Sequence, residues 1–150
     1  MSAKRFARLF GALVVAIACT AAIAEASGGA SVKIVLPAHV HSSYNFQLRV
    51  NGTFSKSQLT GSGTKKAGLV VLRQPAAVAC KSTEQADWTG PTNALRTFAG
   101  PEAKSPFTQG ALWNGFTFRR LCVYLYSQPV TALSQPKGKL LAKTTAVVPL

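Results

Sequence analysis

Apolar and polar positions alternate with a period of two along most of this chain, and the pattern is strictest over Tyr44 to Val50. There Tyr44, Phe46, Leu48 and Val50 fall on one face and Asn45, Gln47 and Arg49 on the other, as in a half-buried strand. Asn51-Gly52 follows, a pair that tolerates the positive φ angles of a tight turn, so a hairpin is predicted there with Thr53-Phe54 opening the return strand. Val32 to Leu36 predicts an edge strand, ended by Pro37 because proline cannot donate to a ladder. Gly68 to Arg73 reads as another strand, Leu95 to Phe98 as a short one, and Lys139 to Val148 as a weakly alternating closing strand.

The stretch from Gly115 to Gln128 predicts the central strand. Phe116, Phe118, Cys122, Tyr124 and Tyr126 share one parity and Leu121, Val123 and Leu125 the other, so both faces are apolar. Either the strand is buried on both sides or a bulge near Arg119-Arg120 changes its register.

Between these runs, residues 55–66 are Ser, Thr, Gly, Gln and Lys with Leu59 the one apolar residue, which predicts a mobile loop. Ser82 to Gln85 has capping-box spacing, so a short helix or turn is expected beside Cys80, with Trp88 covering one end of the core. Pro91, Gly100, Pro101 and Pro106 leave room for one short strand before the central one, and 129–138 is rich in turn residues. Six or seven short strands separated by Gly and Pro turns point to an all-β, two-sheet sandwich, with a small barrel or a jelly roll as alternatives.

The N-terminus departs from this pattern. Lys4, Arg5 and Arg8 precede an apolar run from Leu9 to Ala18, and Ala22-Ile23-Ala24 and Ala24-Glu25-Ala26 place small residues where a signal peptidase reads. The expected organisation is a signal peptide over 1–26, a flexible connector over 27–31 and one domain over 32–150. Leu9 to Ile23 is free of charge but falls short of the roughly 20 apolar residues that span a bilayer, so no transmembrane anchor is expected in the mature chain. Cleavage before Cys19, leaving a lipidated N-terminus, is the alternative. Removal of the leader leaves Cys80 and Cys122, and an even count in an exported chain reads as one disulfide; two free buried thiols are the other reading.

A Gly followed by an aromatic run into Leu121-Cys122-Val123-Tyr124-Leu125, with Cys80 upstream after a strand ended by Pro75, resembles small exported immunoglobulin-like proteins of bacteria. That resemblance implies an immunoglobulin-like sandwich with a disulfide, in the periplasm, the envelope or outside the cell, and no defined activity. The chain departs from the antibody-type pattern: Arg120 stands two before Cys122, where a tyrosine corner would place Tyr.

Charge adds the one hint of a partner. The chain has 17 Lys and Arg against 4 Asp and Glu, a formal +13. Such a balance draws a protein to anionic envelope polymers. Lys65-Lys66 and Arg119-Arg120 are the candidate polyanion contacts, with Lys137, Lys139 and Lys143 scattered beyond them. No run of five cations and no nucleic-acid module occurs, so a specific nucleic acid is not expected, while another protein remains an open partner. Chemistry is sparse. His39 and His41 would point to one side of an extended segment, as metal ligands do, but no third ligand lies nearby, and no Gly-x-Ser-x-Gly is present. The expectation is a noncatalytic binding or envelope-associated module without a cofactor. A secreted hydrolase or metal-binding protein using His39 and His41 is the alternative.

Overall fold

The structure is a computed structural model that describes residues 29–37, 46–61, 65–88, 95–113, 118–131 and 134–149. The expected leader over 1–26, with Cys19, and also His39, His41 and Phe116 lie outside the described residues.

Seven strands follow in chain order: β1 (Ser31–Val35), β2 (Phe46–Thr53), β3 (Ala67–Gln74), β4 (Leu95–Glu102), β5 (Phe107–Trp113), β6 (Arg120–Tyr126) and β7 (Leu140–Val147). They form two antiparallel sheets, one ordered β1-β2-β5 and the other β4-β3-β6-β7. Val32, Leu48, Val50 and Phe107 from the smaller sheet meet Leu69, Val71, Leu121, Val123 and Leu125 from the larger one, and this buried layer makes the fold sandwich-like. Each of these residues alternates with an outward one along its strand, so the period of two read in the sequence is the inside-outside period of the sheets.

Three readings of the sequence are corrected. Asn51-Gly52 is no hairpin turn: both residues continue β2, pairing with Lys33 and Val32 on one side and with Thr108 and Phe107 on the other. Gly52 is needed for closeness instead, since a Cβ there would collide with the Phe107 ring and stand 2.8 Å from Ser31 O. Residues 55–61, the described first part of the 55–66 segment, take a more defined path than their composition implies. Lys56–Gln58 forms a 3-10 turn, Leu59 is buried, and the Thr60 amide donates to Ser127 O at 2.9 Å. Trp88, finally, covers no core; it is 46% exposed, with the Arg96 guanidinium 5.7 Å from its ring centroid.

A strand was also missed. β5 carries Gln109 and Gly110 in its middle, which interrupt the apolar alternation, and Pro106 stands directly before it. The central strand is shorter than its apolar run, beginning at Arg120. No bulge rescues its register at Arg119-Arg120. Leu121, Val123 and Leu125 enter the layer between the sheets, while Cys122, Tyr124 and Tyr126 enter a second apolar cluster on the opposite face with Val70, Leu72 and Val130.

A candidate anion-binding cleft beside the disulfide

The second cluster needs a cover, and the connection between β3 and β4 supplies it. Pro75 to Trp88 folds back over the outer face of the larger sheet, ending in the one-turn helix α1 (Glu84–Trp88). Thr83 caps that helix, accepting from the Ala86 amide at Oγ1 (3.2 Å), so the cap falls one residue after Ser82. The strap is held at every few residues. Gln74 Nε2 donates to Val78 O (3.0 Å), and Arg120 donates to Ala76 O through Nε and Nη2 (3.0 and 2.5 Å). Cys80 is bridged to Cys122, with 5.7 Å between the Cα atoms, which settles the thiol question. The bridge joins the strap to the outside of β6 and does not cross between the sheets.

Beyond the bridge the anchors are ionisable. The Tyr124 hydroxyl donates a hydrogen bond to Asp87 Oδ2 at 2.5 Å, with Lys81 O 3.0 Å away, and the Lys81 amide donates to both Asp87 oxygens at 3.0 Å. Tyr126 Oη accepts from the Glu84 amide (3.1 Å). Glu84 pairs with Arg96 at 3.0 Å, and Arg96 also donates to Ser134 O (2.8 Å). Burial raises the Glu84 carboxyl above its ordinary range; the Arg96 guanidinium opposes this and the Asp87 carboxylate adds to it. Burial, with the hydrogen bond to Asp87, also pushes the Tyr124 phenol far up, and burial raises Tyr126.

Where the strap meets β7 it leaves a cavity of about 270 Å³. Ala79, the Cys80 sulfur and Tyr124 form its apolar part, and Arg120, Lys143 and Thr145 line the rest. Lys143 stands opposite Tyr124 in the β6–β7 register and Thr145 opposite Cys122, so all four share the outer face. Cys80, Cys122 and Asp87 bring their ligand-type atoms within 4.8 Å of one another, but bridged sulfurs are not thiolates, and Asp87 alone is no metal site.

The cations singled out in the sequence do not converge. Gly68 pairs with Tyr126 and Gln74 with Arg120, positions roughly 20 Å apart at strand rise, so Lys65-Lys66 and Arg119-Arg120 lie at or beyond opposite ends of that pairing. Arg120 serves the strap. Lys143, one of several scattered lysines by sequence, lines the same cavity from four register positions along β7, on the same outer face. The carboxylates, by contrast, are withdrawn: Asp87 and Glu84 are buried and Glu102 is partly so, with its carboxyl raised by burial.

No protein family, curated protein or solved structure matches the chain. Among the described residues, no helix is long and apolar enough to cross a membrane.

Proposed function

We propose that the chain is an exported, noncatalytic sandwich of immunoglobulin-like type that binds anionic polymers of the cell envelope through its cationic surface. The observation that carries this reading is the placement of the carboxylates. Past the leader there are three, Glu84, Asp87 and Glu102, and each is buried or half-buried, while Lys33, Arg49, Lys56, Lys65, Lys104 and Lys137 are exposed. A cationic surface without interspersed anions attracts a polyanion over its whole extent, because no local repulsion interrupts the field.

The immunoglobulin-like assignment is supported by strand order. In chain order, a constant-type sandwich groups strands 1, 2, 5 and 4 against 3, 6 and 7. Here only the fourth differs, pairing with β3 in the larger sheet. Export is supported by the leader pattern and by a disulfide, a bond that persists in oxidising compartments. N-terminal sequencing of protein recovered outside the cytoplasm should give a start at Ser27; a lipidated Cys19 would replace the soluble form with an anchored one.

Binding to a poly(glycerol phosphate) chain tests the function. Affinity should fall steeply with salt, in proportion to the cations engaged, and Lys65→Gln with Lys66→Gln should lower that slope more than either change alone. A flat response from low to physiological salt would overturn the reading.

A further inference from the structure

We propose that the cleft between the strap and β7 is a separate small-ligand site, taking a compact anionic head, carboxylate or phosphate, on a short apolar body. The site is independent of polymer binding, since it depends on a cavity and not on the summed surface charge.

The size sets the first limit. A cavity of about 270 Å³ lies just under the range of roughly 300–1,000 Å³ that holds drug-sized molecules, so the ligand is small. Its chemistry follows from the walls. A guanidinium has five N–H donors; Arg120 uses two on Ala76 O, which leaves three for a ligand. The Lys143 ammonium has three donors and makes one long contact, 3.4 Å to Lys81 O. Thr145 adds a hydroxyl that lies 3.2 Å from the Cys80 sulfur, a weak acceptor that an anion can replace. Two cations and a hydroxyl facing one cavity are donors in excess, and an anion satisfies them through charge-assisted hydrogen bonds. The nearest carboxylate does not compete. Asp87 is fully buried and its oxygens are taken up by Tyr124 and the Lys81 amide.

The remaining lining, Ala79, Cys80, Tyr124 and Thr144, is mostly apolar, and the Tyr124 hydroxyl is already committed to Asp87. Such a surface gains from covering hydrocarbon and offers nothing to a second charged group. A bare inorganic anion would leave it wet, and a long polymer would not enter.

The test is a titration of the intact, oxidised protein with butyrate, n-butyl phosphate and the neutral butyramide, followed through backbone amide resonances. Saturable shifts centred on Thr145, Lys143 and Ala79 are expected with one or both anions and not with butyramide; the stronger anion identifies the head. Lys143→Glu should weaken binding roughly tenfold or more by placing a carboxylate in the cleft. Lys143→Met, which keeps the stem, serves if the glutamate variant does not fold. Equal binding of butyramide, shifts spread over the exposed lysines without saturation, or wild-type affinity in the Lys143 variant would each overturn the site, whatever the polymer assay gives.

Discussion

The outer faces of the two sheets solve the same problem in opposite ways. On β1-β2-β5 the outward positions include Ser31, Lys33, Gln47, Arg49, Asn51 and Thr108, small or charged groups that water satisfies, with the exposed Val35 at the end of β1, and among the described residues nothing folds over them. On β4-β3-β6-β7 the outward positions include Val70, Leu72, Cys122, Tyr124 and Tyr126, and a strap covers them. Apolar residues at both parities of a strand thus demand a third layer, and here the chain next in sequence provides it. A five-residue helix has little stability of its own, so that layer must be tied down, which accounts for the concentration of a disulfide, a buried ion pair and tyrosine hydrogen bonds on one side of the molecule.

The largest effect should come from untying the strap. The bridge spans a sequence separation of 42, for which loop entropy gives roughly 4 kcal/mol. Cys80→Ser with Cys122→Ser should lose about that amount in chemical denaturation, and amide exchange should quicken in the strap before β1-β2-β5. A loss under ~1 kcal/mol would mean that the other ties suffice. Next, Tyr124→Phe leaves Asp87 buried without its hydroxyl donor and should cost about 1–3 kcal/mol, whereas Asn51→Ala on the open face should stay within about 0.5 kcal/mol. Equal costs would erase the contrast.

A glycine pair compares the two sides of a single sheet. Gly52 faces the core against the Phe107 ring, so Gly52→Ala overpacks and should cost roughly 1–3 kcal/mol; Gly110 faces open space, and Gly110→Ala should be near neutral in thermal melts. The smallest effect is a pH slope. Glu84 has a folded-state pKa above its ordinary 4.5, so it binds its proton more tightly when folded. Its contribution to stability is full below about pH 4.5 and is lost as pH rises through the raised value. The melting temperature of the wild type relative to Glu84→Gln should therefore fall as pH rises from acid towards neutrality. A gap that widens in favour of the wild type would show the Arg96 pairing outweighing burial.

How far the fold was legible depends on what each segment reports. β1, β2, β3, β4 and β7 announced themselves because alternation or an apolar run is a local property. The disulfide followed from a count. β5 was hidden because Gln109 and Gly110 break the alternation where the facing strand, and not the pattern, holds it in place. Asn51-Gly52 misled for a related reason: the same lack of a Cβ that suits a turn also admits an aromatic ring. The cleft was not legible at all, since Arg120 and Lys143 come to line one cavity only through strand pairing and a strap whose path no periodicity encodes.

The withdrawal of the carboxylates bears on what two copies of the chain do when they meet. β1, β5, β4 and β7 are edge strands, open ladders on which another chain can build. β1 carries Lys33 and β7 carries Lys143, while the Arg96 side chain on β4 is buried against Glu84, and the one carboxylate on these four strands is the half-buried Glu102. A second copy approaching through β1 or β7 brings Lys33 or Lys143 to face like charge, and among the described residues no carboxylate is exposed to relieve it. If the cationic surface binds an anionic polymer as proposed, the same charge opposes edge-to-edge pairing of the copies gathered there.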